Sequence, residues 1–202
     1  ALDIALRGLP PEQWSTPTAS PRWSIADQIA HLAYFDNTAS IAISDPEAFT
    51  GYVDVLMASA TDDLQLDEAT LGTYRTMSPS ELLDAWRADR QSLADASVSL
   101  TDDGRVIWYG PSMGAKSFLT ARLMECWAHG QDVLDAAGLT VPATDRLAHI
   151  ARLGVITRGW SYINRKLDVP DVDVAVELTA PSGVTWTYGA ANATESVRGD
   201  AE

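Results

Sequence analysis

Glu125 and His129 are the residues whose types and spacing most directly suggest chemistry. They stand four positions apart in a stretch whose pattern predicts a helix from about 116 to 137. At about 100° per residue, this spacing places both side chains on one face of the helix. The same face carries Phe118 and Val133, so the pair is expected to point towards the core or into a cleft in it.

Ionisable side chains in such a position are costly unless they are paired or bind a metal. A carboxylate and an imidazole one helical turn apart can hold a single cation, which is one hypothesis for Glu125 and His129. A buried hydrogen bond between the two side chains is the commoner reason for this spacing. The pair by itself therefore does not predict a metal site.

Arg122 and Asp132 flank this pair by about one helical turn on either side. All four residues fall on the same narrow stripe of the helix. Arg122 and Asp132 are therefore candidates for orienting His129, for pairing with Glu125 or for contacting an anionic substrate. An ordinary salt bridge within the helix explains them equally well. Cys126 is expected on the apolar side of the helix, where it would pack in the core.

A third candidate ligand, His31, lies on an earlier helix. That helix is predicted to begin at Ser24, because Ser24 followed by Asp27 resembles a capping box, and to end near Ile43. Tyr34 shares the His31 face and could offer a hydroxyl to a pocket, although a core tyrosine is the more common case. A lone histidine on an apolar face is likewise more often a core residue than a ligand.

His149 is the rival candidate for a third ligand. It lies on the apolar stripe of another helix, predicted from about 144 to 166. The spacing of residues along the chain cannot choose between His149 and His31.

The remaining pattern defines the fold class. A further helix is predicted from Ser78 to about Leu100, and the alternation of apolar and polar residues over 172–188 predicts a β-hairpin. We expect an all-α four-helix bundle over residues 1–168. Residues 169–202 are expected to be the start of a small C-terminal domain, an incomplete α/β or β-hairpin segment.

Composition narrows the possible partners. The chain has 202 residues and a net charge of −14, which argues against nucleic acid and anionic membranes as partners. Its single cysteine excludes an internal disulfide and fits a reducing cytoplasm. We expect it to be part of a longer polypeptide, and the sequence leaves open whether it forms a homodimer.

Two motifs together resemble a known family. The segment from Trp23 to His31 (WSIADQIAH) is followed about ninety residues later by Arg122-x-x-Glu125-x-x-x-His129-x-x-Asp132. This combination is similar to the DinB-like superfamily, in the branch of the mycothiol-dependent maleylpyruvate isomerase. The likeness covers about residues 9–166 and the beginning of that family's C-terminal domain. It implies a divalent metal, usually zinc, held by His31, Glu125 and His129. His149 is not part of that ligand set.

The resemblance also implies a function. It indicates a metal-dependent isomerase or S-transferase that uses mycothiol, or another small thiol, on a small electrophilic substrate. Because Cys126 is expected to face away from the metal stripe, the sulfur would come from a soluble cofactor. A metal-dependent hydrolase and a metal-binding bundle without catalysis are the alternatives.

Overall fold

The computed structural model describes all 202 residues, which fall into two compact units, Ala1–Val141 and Pro142–Glu202. The first unit is almost entirely helical. In chain order it contains α1 (Leu2–Arg7), a 3-10 turn (Pro11–Ser15), α2 (Ile25–Ser44), α3 (Pro46–Ser59), α4 (Asp63–Arg75), α5 (Pro79–Ser97), a two-stranded ribbon of β1 (Arg105–Val106) and β2 (Met113–Gly114), and α6 (Ala115–Ala137). None of the helices is both long and apolar enough to cross a membrane.

Local signals explain where the long helices begin and end. The Ser24 side chain accepts a hydrogen bond from the backbone N–H of Asp27, and the Asp27 carboxylate accepts one from the backbone of Ser24. Ser78 and Glu81 form the same reciprocal capping box at the start of α5. The α6 helix ends at Gly138, whose φ of 66° is left-handed and suits glycine. These predicted helix ends are confirmed.

The centre of the first unit is α2, which packs against α3, α4, α5 and α6. The N-terminal half of α2 contributes Ile25 and Ile29 to one buried cluster, which also contains Trp86 of α5. Its C-terminal half contributes Ala39 to a second cluster with Phe118 of α6. The predicted fold class, a helical bundle with a small C-terminal β segment, is confirmed.

The helix predicted over 144–166 is two helices, α7 (Leu147–Ile156) and α8 (Arg158–Asn164), in the second unit. They are separated at Thr157, whose φ of −97° and ψ of 5° leave helical geometry. The Thr157 hydroxyl donates to the carbonyl of Leu153, and such back-bonding weakens regular helix. Gly159 follows directly and has a low helix propensity.

The second unit also carries a three-stranded sheet of β3 (Val174–Thr179), β4 (Thr185–Tyr188) and β5 (Glu195–Asp200). β3 lies in the middle, antiparallel to β4 and parallel to β5. The β3–β4 hairpin was predicted. β5 was not, because all its residues are exposed and Val197, its one large apolar side chain, gives no alternation of apolar and polar residues. The two compact units divide after Val141, so α7 and α8 are grouped with the sheet, whereas the domain boundary after 168 stays a prediction.

Candidate metal centre

Helices α2 and α6 bring His31, Glu125 and His129 together. The Nε2 atom of His31 lies 3.3 Å from Glu125 Oε2, and the Nε2 atom of His129 lies 3.0 Å from the same oxygen. All three candidate ligand atoms lie within 4.8 Å of one another. The side chains are 15%, 31% and 18% exposed, in chain order, so the cluster is partly accessible to solvent.

The three residues fit a zinc ion in both type and spacing. Zinc in proteins is bound by imidazole nitrogens and carboxylate oxygens at roughly 2.0–2.2 Å, mostly with tetrahedral geometry. Donor atoms around such an ion are roughly 3.3–3.6 Å apart by geometry, and the two contacts of Glu125, at 3.3 and 3.0 Å, are close to this range. Three protein ligands also leave a coordination position open, as catalytic zinc sites do. A cluster held together by hydrogen bonds without a metal, the alternative explanation, would also place both histidines close to Glu125.

The electrostatics keep Glu125 and His31 in the forms that bind metals. Burial opposes ionisation of Glu125, but the close contacts of its carboxylate with the His129 and His31 rings and the charge of Arg122 outweigh it. Together they hold the pKa of the Glu125 carboxyl well below its usual range. Burial lowers the pKa of His31, even though Glu125 acts in the opposite direction. A carboxylate and a neutral imidazole are therefore present near neutral pH.

Aromatic rings pack against the histidines. The Trp23 ring lies 5.0 Å from His31 and 5.8 Å from His129, measured between centroids. Phe35 lies 4.5 Å from His31, and Tyr109 packs edge-on against Phe35 at 5.5 Å. These contacts restrict the imidazoles without competing for their nitrogens.

Comparison with known proteins places the chain in a family. The family model of the mycothiol maleylpyruvate isomerase N-terminal domain matches residues 1–134. The chain belongs to this family. It is also 41% identical over 201 residues to uncharacterized proteins from two strains of Mycobacterium tuberculosis, an alignment that covers 100% of this chain and 77% of each relative.

Solved structures show the same fold. Two crystal structures of mycothiol-dependent maleylpyruvate isomerase, one of them a point mutant, match with TM-scores of 0.61 and 0.59. Each is 17% identical to this chain, and the match covers 99% of this chain and 79% of the other. The predicted resemblance to the mycothiol maleylpyruvate isomerase family is thus confirmed for the family and for the fold.

Gln28 connects Asp132 to His129 by hydrogen bonds. Gln28 lies with its Oε1 atom 2.5 Å from His129 Nδ1 and its Nε2 atom 3.0 Å from Asp132 Oδ2. The Gln28 amide nitrogen also donates to Thr18, and Ser20 donates to Asp132. Sequence reasoning missed Gln28. The available signal was its position three residues before His31, on the same face of α2.

Arg122 is bound by a residue that the sequence did not single out. Its Nη2 atom lies 2.9 Å from Asp36 Oδ1 in α2, and its Nε atom also donates to that oxygen. Both side chains are less than a tenth exposed, and the guanidinium lies 5.8 Å from the centre of the Phe35 ring. Arg122 makes no hydrogen bond to His129 or Glu125. The signal that was missed is that Asp36 is a carboxylate on the buried face of α2.

The other candidates lie outside the cluster. His149 is exposed on α7 and is not among the three grouped side chains. Cys126 packs against the first core cluster, where burial raises the pKa of its thiol. The Tyr34 hydroxyl accepts a hydrogen bond from the Tyr109 hydroxyl at 3.4 Å.

Proposed function

We propose that this protein is a metal-dependent, thiol-using enzyme. His31, Glu125 and His129 bind one divalent ion, zinc first among them. With mycothiol as the nucleophile, the protein acts as an isomerase or S-transferase on a small electrophilic substrate. The observation that supports this most strongly is the convergence of the three side chains from two helices at a position partly accessible to solvent, in a chain of the mycothiol maleylpyruvate isomerase family.

The charges at the site favour an anionic sulfur ligand. A free thiol with a pKa near about 8.5 is mostly protonated at neutral pH, and a divalent ion supplies the charge that favours the thiolate when it is bound. The protein offers one carboxylate, Glu125, and two imidazoles. These ligands offset only part of a divalent charge, so the open side of the site remains electropositive.

The reactive sulfur has to come from outside the chain. Cys126 is the only cysteine, and it is part-buried against core residues on a different side of α6 from Glu125. Its raised pKa further reduces the fraction of thiolate. A soluble thiol is therefore the nucleophile that this site can use.

The neighbouring residues have supporting roles in this proposal. Trp23 contacts both histidine rings and Phe35 contacts that of His31, so these aromatic side chains restrict the motion of the imidazoles. The charge of Arg122 adds to the lowering of the Glu125 pKa that the contacts with His129 and His31 produce. Two nitrogens of Arg122 already donate to Asp36. In this proposal Arg122 therefore influences the site through its charge and does not bind a substrate carboxylate.

Calorimetry tests the proposal. Zinc-loaded protein is titrated with mycothiol and with S-methyl mycothiol, in which the sulfur cannot ionise. We expect mycothiol to bind with a dissociation constant of about 1 mM or tighter, the range of ordinary substrates. The S-methyl form and the His129→Ala variant should bind at least tenfold more weakly. Equal binding of the two ligands, or no binding of mycothiol to fully zinc-loaded protein, would refute thiol use and leave the hydrolase or the non-catalytic alternative.

A further inference from the structure

Gln28 is a buried amide with a polar partner at each end. It is completely inaccessible to solvent in α2. Its Nε2 atom lies 2.9 Å from Thr18 Oγ1 and 3.0 Å from Asp132 Oδ2, and its Oε1 atom contacts His129 Nδ1. Because leaving a buried polar group without a partner is costly, this amide is held in one orientation.

Asp132 determines which end of the amide faces His129. An ionised carboxylate only accepts hydrogen bonds, so the nitrogen end of Gln28 must face Asp132. Ser20 donates to the same carboxylate oxygen at 2.7 Å and fixes its position. The opposite amide orientation would bring the Gln28 oxygen against the Asp132 oxygen. The amide oxygen is therefore directed at His129.

The amide in turn determines the tautomer of His129. An amide oxygen only accepts, so the Nδ1 atom of His129 carries the hydrogen. A neutral imidazole then presents a lone pair at Nε2, which lies 3.0 Å from Glu125 Oε2. Two acceptors at this distance repel unless a positive group lies between them.

We infer that Gln28 is a positioning residue for the metal centre, with its direction set by Asp132. It holds His129 as the Nδ1–H tautomer, so that Nε2 is free to bind the ion. This inference rests on the proposed metal site. His31 has no comparable polar partner, because Glu125 is its single side-chain hydrogen-bond partner and the Trp23 and Phe35 rings pack against it. His129 is thus the ligand that is oriented in advance.

Substitutions at positions 28 and 132 test the order of hydrogen-bond donors and acceptors that runs from Asp132 through Gln28 to His129. Gln28→Met keeps the length of the side chain and loses the acceptor, so zinc affinity should fall roughly 10- to 100-fold, the usual effect of removing such a partner. Gln28→Glu places a carboxylate about 3 Å from Asp132 and should weaken zinc binding through repulsion. Adding Asp132→Asn to Gln28→Glu should restore affinity, because the new asparagine can donate to the new glutamate.

Zinc affinity is measured by competition with a chromophoric chelator, and circular dichroism checks the folding of each variant. Gln131→Met removes an exposed glutamine next to Asp132 and should leave zinc affinity unchanged. Unchanged affinity in Gln28→Met and Gln28→Glu would overturn the inference, as would a double variant no tighter than Gln28→Glu alone.

A second readout does not involve the metal. Imidazole 15N NMR of the zinc-free protein should show a hydrogen fixed on Nδ1 of His129 in the wild type, whether or not Nε2 also carries one towards Glu125, and loss of this preference in Gln28→Met. A wild-type His129 with no hydrogen on Nδ1 would overturn the inference. Absence of zinc binding by the wild type would instead refute the proposed function, which separates the two failures.

Discussion

The buried ion pair between Asp36 and Arg122 should dominate the response of the bundle to mutation. Asp36→Ala removes the carboxylate and leaves the Arg122 guanidinium, only 7% exposed, as an unpaired charge between α2 and α6. Breaking a buried pair in this way costs about 3–5 kcal/mol. The cation–π contact with the Phe35 ring, 5.8 Å from the guanidinium, can offset only part of this loss of stability.

Urea denaturation of the zinc-free protein, followed by circular dichroism, measures this cost. Metal is left out because a ligand that binds the folded state hides changes in stability. With a slope of about 2 kcal/mol per molar urea, the midpoint should fall by about 1.5–2.5 M. Lys116→Ala is the matched control, because it breaks an ion pair with Asp102 in which both side chains are mostly exposed. We expect that change to stay within about 1 kcal/mol.

A double variant separates the unpaired charge from the lost attraction. Asp36→Leu together with Arg122→Met replaces the pair by apolar side chains and should recover most of the lost stability. Two results would refute this reasoning. One is an Asp36→Ala protein as stable as Lys116→Ala, and the other is a double variant as unstable as the single one.

Three further predictions follow from the packing, the caps and the free thiol. Phe49→Ala should lower the free energy of unfolding by about 3–5 kcal/mol because Phe49 is fully buried, whereas Tyr52→Ala, 55% exposed on the same helix, should change it by about 1 kcal/mol or less in the same urea assay. Burial works against the Asp27 carboxylate, yet hydrogen bonds from Ser24 outweigh it and keep the pKa of Asp27 below its usual value. The ionised carboxylate therefore contributes stability above about pH 4, and this stability is lost as the pH falls through the lowered pKa. Asp27→Asn should lower the free energy of unfolding by about 1 kcal/mol at pH 7 and by progressively less in acid. A cost that stays constant with pH would contradict this. Because burial raises its pKa, Cys126 should be alkylated by iodoacetamide much more slowly in the folded protein than in urea, and equal rates measured by mass spectrometry would show that the thiol is accessible.

Local signals in the sequence predicted much of the helical framework. Ser24 with Asp27, Ser78 with Glu81, and Gly138 mark helix ends through interactions that span only a few residues, so they can be identified without a structure. The break at Thr157 was missed because the apolar stripe continues across it. β5 was missed because a fully exposed strand with a single large apolar residue, Val197, shows no alternation to detect.

The site was harder to predict from the sequence because the residues that contact one another in it are far apart along the chain. Spacing placed Glu125 and His129 on one face but could not choose between His31 and His149. The family resemblance favoured His31, and the structure groups His31 with the α6 pair. The contacts that Gln28 makes with Asp132, and Asp36 with Arg122, join residues 104 and 86 positions apart. No local pattern reports such pairings.

The metal content of the purified protein tests the central claim most directly. Wild type, His129→Ala and His149→Ala are loaded with excess zinc, freed of unbound metal by gel filtration and analysed for zinc per chain, with circular dichroism confirming that each is folded. The proposed site predicts one equivalent in the wild type and in His149→Ala, and close to none in His129→Ala. A full equivalent retained by folded His129→Ala, or a loss confined to His149→Ala, would contradict the assignment of His31, Glu125 and His129 as the metal ligands.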